Sequence, residues 1–146
     1  MKDISQLIVR PDITIRESLE RLNETSEGIL LLVDDKGSLI RAVTDGDIRR
    51  LLLGGLILGD SLSQLPPHEP KVVGPGVDEA EVLRLMNLSG INQVPVVDED
   101  RRPIGVMLRR EIDHKILLST PHLGEYEMGF VEEAFRTNWI APLGPN

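Results

Sequence analysis

The stretch GILLLVDDKGSLIRAVTDGDIRR, residues 28–50, decides the fold because a second stretch repeats its pattern. The second stretch is NQVPVVDEDRRPIGVMLRREIDH, residues 92–114, offset by 64 positions from the first. In both, an apolar run is followed by an acidic turn, a second apolar run and the start of a polar helical segment. Two copies of one pattern indicate a tandem structural repeat.

The repeat extends beyond these stretches, and residues 8 to 48 align with the second copy without a gap at the same offset of 64. Identical pairs include Pro11 with Pro75, Leu19 with Leu83, Asn23 with Asn87, Val33 with Val97, Asp34 with Asp98, Ile40 with Ile104 and Ile48 with Ile112. Chance matches would scatter along the chain, whereas these keep step with one order of helices and strands.

Each copy predicts the element order β-α-β-β-α. A short apolar pair, Ile8-Val9 or Val72-Val73, comes first, and a stretch with apolar residues at helical spacing follows it. The continuous apolar runs at 29–33 and 94–97 are typical of strands that are buried on both faces.

Second strands are predicted at 39–43 and 104–108, and second helices start near Asp45 and near Arg109. We therefore expect a mixed α/β fold of two tandem βαββα repeats related by a pseudo-twofold axis, followed by a helical tail. The expected boundaries are 1–58 for repeat 1, 59–70 for a proline-containing linker, 71–117 for repeat 2 and 118–146 for the tail.

Composition excludes several classes of function. A net charge of −8 and only one Trp, one Tyr and two Phe argue against nucleic acid as a partner. The lack of Cys excludes disulfides, zinc–thiolate sites and cysteine catalysis, and it fits a cytoplasmic location. The longest apolar stretch, Leu51 to Leu58, is interrupted by Gly54-Gly55, so no membrane segment is expected.

The two stretches resemble the CBS domain pair, also called a Bateman module. The resemblance covers about residues 3 to 117 and is carried by VDDKGSL at 33–39 with VTDGDIR at 43–49, and by GINQVPVVD at 90–98 with IGV at 104–106. It implies a regulatory module that binds an adenosine nucleotide (AMP, ADP, ATP or S-adenosylmethionine) between the repeats.

The resemblance also implies a site in copy one. In the family, a Thr at the start of the second helix contacts phosphate and an Asp three residues later holds the ribose hydroxyls; Thr44 and Asp47 match these positions. A helix N-terminus favours phosphate through its free N–H groups and its partial positive charge. Asp45, Val9 and Ile29 complete the residues expected to bind the nucleotide.

Both copies depart from the family pattern. Arg41 replaces the usual Gly that Gly105 supplies in copy two, and it could contact phosphate or block the cleft. In copy two, Leu108 replaces the Thr and Glu111 the Asp, which predicts a weak or vestigial second site near Glu111. The motif also has a purely structural interpretation, because Thr and an acid three residues later are a common helix cap.

Other polar residues are interpreted as structural. The pairs Arg49-Arg50 and Arg109-Arg110 are expected to be solvated helix faces. The histidines, His68, His114 and His122, lack the spacing of metal ligands, so no metal site is expected and they are predicted to lie on the surface. Without a nucleophile–base pair or a phosphate loop, the chain itself is not expected to be an enzyme and needs no cofactor of its own.

The tail resembles the start of DegT/DnrJ-type sugar aminotransferases. The matching residues are Ser119, Pro121, Gly124, Glu127, Trp139, Ile140, Gly144 and Pro145. This resemblance implies a pyridoxal phosphate enzyme acting on nucleotide-linked keto-sugars as a catalytic domain in cis, with its Schiff-base lysine outside this chain. The alternative is a C-terminal helix that simply packs on the repeats.

The segment Ile48 to Leu58 predicts a dimer. Interpreted as one helix, it contains more Leu and Ile than one face can bury within a single chain. We therefore expect a homodimer through the helices in this region. A structural dimerisation module without a ligand is the alternative to nucleotide sensing.

Overall fold

The computed structural model describes residues 3–116 and residue 133. The chain divides into two units, Met1–His114 and Lys115–Asn146, and both repeats lie in the first. The predicted tail at 118–146 therefore lies outside the described residues, apart from the helical and exposed Glu133. Within the described part of the chain, no helix is long and apolar enough to cross a membrane.

Repeat 1 has the predicted order of elements. Its elements are β1 (Ile8–Val9), α1 (Ile15–Thr25), β2 (Leu30–Val33), β3 (Leu39–Val43) and α2 (Asp45–Leu53). The strands form one sheet in the order β1-β2-β3, with β1 parallel and β3 antiparallel to β2. The tight turn between β2 and β3 forms because Asp34 Oδ1 accepts the N–H groups of Lys36 and Ser38, each at 2.9 Å.

Repeat 2 follows the same order with a shorter first strand. Its elements are α3 (Glu79–Ser89), β4 (Gln93–Val97), β5 (Pro103–Leu108) and α4 (Arg109–Ile116). The predicted strand at Val72-Val73 is reduced to a single parallel bridge between Val73 and Val96. Gly74-Pro75 follows directly, and proline has no N–H with which to extend the pairing.

Both faces of β2 are buried, as its continuous apolar run predicts. Leu30 and Leu32 pack on one face against α1 and α2. Ile29 and Leu31, on the other face, share a cluster with Val97 of repeat 2. Because side chains alternate along a strand, β2 joins the core of its own repeat to the contact between repeats.

The segment from Ile48 to Leu58 is not one helix, so this part of the sequence prediction is wrong. α2 ends at Leu53 because Gly55 has φ 102°, a conformation outside the helical range that favours glycine. The Gly54 N–H still makes a helical hydrogen bond to the Arg50 carbonyl, at 2.9 Å. Leu52, near the end of α2, packs against the core of repeat 1, and Leu56 and Leu58 fold back onto the same core after the helix ends. Of the leucines and isoleucines in this segment, only Leu53, at 82%, and Ile57, at 67%, are largely exposed to solvent.

The segment predicted as a linker is built into the fold. Leu62 is fully buried and its N–H donates to the Ile13 carbonyl at 3.0 Å. The Asp60 carbonyl accepts the N–H of Ile15 at 2.8 Å, beside the start of α1. Residues 58–62 are therefore fixed against repeat 1, and only the residues that follow connect it to repeat 2.

Candidate functional site

A cleft of about 760 Å³ lies between the repeats. Repeat 1 contributes Gly28 and Ile29, Arg41 and Ala42 of β3, and the start of α2. Repeat 2 contributes the loop at 90–93 and Pro95, and the connecting segment contributes His68, Pro70 and Lys71. A cleft of this size matches the volume of sites that bind small molecules.

The start of α2 places its polar residues at this cleft. β3 ends at Val43, Thr44 takes an extended conformation as the N-cap, and the helix begins at Asp45. The Thr44 N–H and hydroxyl both donate to Asp47 Oδ2 at 2.9 Å. These contacts confirm that the motif caps the helix. A binding role is compatible with the cap, because Thr44 and Asp47 also line the cleft.

The Asp47 carboxylate is surrounded by donors. Its Oδ1 atom accepts from Arg41 Nη2 at 3.1 Å and from Arg50 Nη2 at 2.8 Å, while Oδ2 accepts from Thr44. Burial by itself would raise the pKa of Asp47, but the Thr44 hydrogen bonds, the Arg50 hydrogen bond and the Arg41 charge together hold that pKa below its ordinary value. All acceptor positions of this carboxylate are occupied, since an ionised carboxylate offers about four.

Arg41 is the central cation of the cleft. Its side chain is 10% exposed, its Nη1 donates to the Pro66 carbonyl and its Nη2 to Asp47. Its Nε is buried without a hydrogen-bond partner. Arg41 thus links β3, the start of α2 and the connecting segment, while its Nε–H has no acceptor.

Five of the seven residues predicted to bind nucleotide line this cleft: Ile29, Arg41, Thr44, Asp45 and Asp47. Val9 does not, because it is buried in the core of repeat 1. Glu111 lies elsewhere, exposed on α4. The structure therefore brings five of the six copy-one residues together at the cleft, and it leaves Val9 in the core and Glu111 on α4.

The corresponding region of repeat 2 is smaller and differently occupied. A cavity of about 350 Å³ is lined by Leu108, Arg109 and Arg110 together with Glu27 of repeat 1, but not by Glu111. Arg109 donates to Asn92 Oδ1 and Asn87 Oδ1 at 2.8 Å. Its guanidinium is therefore already held by side chains of repeat 2.

The solvated-face interpretation of Arg109-Arg110 is incomplete, because the Arg110 side chain is 56% exposed as expected but both residues also make specific contacts. In addition to the Arg109 contacts, Arg110 donates to the Ser26 carbonyl at 3.2 Å and to Glu27 Oε2 at 2.5 Å. Arg110 thus connects α4 with repeat 1.

Three residues that the sequence did not predict at the site also line the cleft: Arg50, His68 and Lys71. Arg50 is exposed as expected, yet it pairs with Asp47 and lines the cleft. Its position three residues after Asp47 on one helix was a usable signal. His68 and Lys71, although exposed, line the cleft too; their sequence offered no signal, because a proline-containing connection does not reveal where its side chains pack.

Solved structures with this fold come from varied proteins. The CBS domains of a Streptococcus pneumoniae transcriptional regulator match with a TM-score of 0.66 at 18% identity, covering 77% of this chain and 92% of that one. The CBS domain pair of protein MJ0100, in complex with 5′-methylthioadenosine and S-adenosyl-L-methionine, gives 0.68 at 23%, covering 75% and 90%. CBSX2 of Arabidopsis thaliana in complex with AMP gives 0.63 at 25%, covering 75% and 86%.

Curated relatives are longer than this chain. Arabinose 5-phosphate isomerase KdsD of Pseudomonas aeruginosa is 31% identical over 91 residues, 62% of this chain and 28% of that protein. EpsN of Bacillus subtilis, a putative pyridoxal phosphate-dependent aminotransferase, is 61% identical over 31 residues, 21% of this chain and 8% of EpsN. The chain thus spans less than a third of either protein.

The repeats themselves identify the family. The family model for the CBS domain matches twice, at residues 2–54 and 62–117, which is most of the chain and agrees with the internal repeat. With two matched copies, the βαββα order and the cleft between them, this chain belongs to the CBS domain family as a CBS domain pair.

Proposed function

We propose that this chain is a regulatory module that binds an adenosine nucleotide in the cleft between its CBS repeats. The observation that carries the proposal is the convergence of Thr44, Asp47 and the start of α2 on one cleft of about 760 Å³. The AMP complex of CBSX2, at 25% identity, supports an adenosine nucleotide as the ligand class.

The chemistry of the cleft suits such a ligand. The α2 N-terminus offers N–H groups and a partial positive charge to a phosphate. Arg41, Arg50 and Lys71 add cationic donors along the same cleft. Ile29 and Pro95 provide apolar surface against which a base can pack.

Regulation follows from the position of the cleft. Its walls come from both repeats and from the connecting segment. A ligand that contacts all three parts therefore stabilises one arrangement of them relative to others. A ligand regulates only when it binds two conformations with different affinity. In this proposal the chain performs no catalysis, and the bound nucleotide biases an attached domain.

Calorimetric titration of the chain with AMP, ADP, ATP and S-adenosylmethionine tests this function. Binding of at least one ligand is expected, and Asp47→Ala is expected to abolish or strongly weaken it. Asp12→Ala, at an exposed position away from the cleft, is the matched control. Absence of heat with every ligand at millimolar concentration would contradict the proposal.

A structural dimerisation module is the second candidate, and one observation favours it. Asp47 already accepts four hydrogen bonds from Thr44, Arg41 and Arg50, so no acceptor is open to a ribose. This candidate predicts that Asp47→Ala alters neither ligand response nor oligomeric state. The titration above, repeated with sedimentation analysis of the variant, separates the two functions.

We further propose that the attached domain is a pyridoxal phosphate-dependent sugar aminotransferase. The tail resemblance and the 31-residue match to EpsN support this. Sequencing the gene beyond the codon for Asn146 tests it. An open reading frame that continues into an aminotransferase domain with a Schiff-base lysine is expected, and a stop codon there would contradict the proposal.

A further inference from the structure

We propose that Arg41 makes the cleft selective for phosphorylated nucleosides, because a bound phosphate draws its guanidinium away from Asp47 and releases that carboxylate for the ribose. This inference rests on the function proposed above. It adds the chemical class of the ligand and the residue that selects it.

Arg41 has a buried donor without a hydrogen-bond partner. The residue is 8% exposed and lines the cleft, yet its Nε has no partner. A buried donor without a partner carries a free-energy penalty, which an acceptor arriving with the ligand removes. Nε and Nη2 are neighbouring donors of a planar group, and such a pair suits the bidentate geometry of a phosphate.

The side chains that line the cleft carry more positive than negative charge. Three cationic side chains line the cleft, Arg41, Arg50 and Lys71, against the two carboxylates of Asp45 and Asp47. Counting only Lys, Arg, Asp and Glu, this is an excess of one positive charge on a chain whose net charge is −8. An anionic ligand is attracted by this excess, whereas the sulfonium of S-adenosylmethionine adds a further cation.

The Asp47 carboxylate is already occupied by donors of the protein before a ligand binds. Its Oδ1 atom is held by Arg41 and Arg50 at 3.1 and 2.8 Å. A neutral nucleoside that displaces Arg41 leaves a buried guanidinium without its anion, which is costly. A phosphate replaces the lost anion, so phosphate binding and ribose recognition become coupled.

Of the two repeats, only repeat 1 has an arginine at this position. The position that corresponds to Arg41 in repeat 2 is Gly105, which has no side chain with which to hold Glu111 or a phosphate. Removing the Arg41 charge should therefore convert an anion-selective cleft into one that tolerates neutral nucleosides.

Calorimetric titration of the whole chain with AMP, adenosine and S-adenosylmethionine tests the inference. Wild type is expected to bind AMP at least about tenfold more tightly than adenosine, since charge-assisted hydrogen bonds of this kind change affinity by about that factor. In Arg41→Met, AMP affinity falls while adenosine affinity is kept or rises, so the AMP-to-adenosine ratio drops about tenfold. Thermal unfolding checks that the variant is folded.

Two further variants serve as a control and as a replacement for Arg41→Met. Arg49→Met removes an exposed guanidinium from α2 that pairs with Asp45 and does not line the cleft, so the ratio should stay at the wild-type value. Arg41→Gly, which copies Gly105, replaces Arg41→Met if the methionine variant does not fold.

The outcomes distinguish the two proposals. Equal binding of AMP and adenosine by wild type, or a ratio unchanged by removing the Arg41 charge, overturns the role of Arg41 and leaves nucleotide sensing intact. Tighter binding of S-adenosylmethionine than of AMP overturns it as well. Heat from no ligand in any variant overturns the proposed function itself.

Discussion

Asp47 combines a structural and a proposed functional role in one carboxylate. It accepts the Thr44 N–H at the start of α2 and forms ion pairs with Arg41 and Arg50. The first contact stabilises the helix start, and the ion pairs hold the cations of the cleft in place. A change at Asp47 therefore affects both the stability of repeat 1 and the electrostatics of the cleft.

The pH dependence of stability is expected to show this role. The pKa of Asp47 lies below the ordinary aspartate value of 3.8, so the carboxylate stabilises the fold fully above that value and loses its effect as pH falls through the lower, folded-state pKa. Asp47→Asn should therefore be less stable than wild type near neutral pH, by about 1 kcal/mol or more.

Urea unfolding at about pH 7 and about pH 3 measures the difference. The free-energy gap between wild type and Asp47→Asn should narrow at the lower pH. Asp12→Asn, at an exposed position outside the cleft, serves as the control. A gap of equal size at both pH values would contradict the stabilising role of the Asp47 charge.

At the scale of elements, the two copies end their first helices in the same conformation with different residues. Ser26 follows α1 with φ 55° and donates its N–H to the Leu22 carbonyl, and Gly90 follows α3 with φ 65° and donates to the Met86 carbonyl. The left-handed conformation is costly for residues with a Cβ, which glycine lacks.

Reciprocal substitutions at these caps should have opposite effects. Ser26→Gly should stabilise the chain by about 0.5 kcal/mol, since the relief of strain is partly offset by greater freedom in the unfolded state. Gly90→Ala should destabilise it by about 1 kcal/mol through strain alone, because no atom lies near the added Cβ.

Chemical denaturation of both variants gives the two free energies of unfolding. Pro11→Ala, in the turn before α1, is the control for nonspecific effects of a loop change. Destabilisation by both cap substitutions would show that side-chain contacts of Ser26 outweigh its backbone strain.

At the scale of the whole molecule, little apolar surface between residues 48 and 58 is left exposed for the expected homodimer. Most of the apolar residues between 48 and 58 pack within repeat 1, and Leu53 and Ile57 remain largely exposed near the end of α2. We expect these two side chains to lie in the dimer interface, because the burial of exposed apolar surface favours association.

Substitution of both residues tests the dimer. Light scattering after gel filtration should give a dimer for wild type and a monomer for the Leu53→Glu, Ile57→Glu double variant, because burying two carboxylates is unfavourable. Leu88→Glu, an equally exposed position on α3, should stay dimeric. A monomeric wild type would contradict the dimer, and a monomeric Leu88→Glu would move the interface to α3.

The sequence by itself determined the repeat, the β-α-β-β-α order and the residues at the start of α2, because these follow from local periodicity and from a match between two copies. Leu31 could be predicted as buried on this basis alone. Only the tertiary structure decided that Arg41 pairs with Asp47, and that Leu56 and Leu58 fold back onto the core. It also decided that the connecting segment borders the cleft with His68, Pro70 and Lys71. Such contacts join residues without a common period, and their free energy depends on how the repeats and the connecting segment pack together.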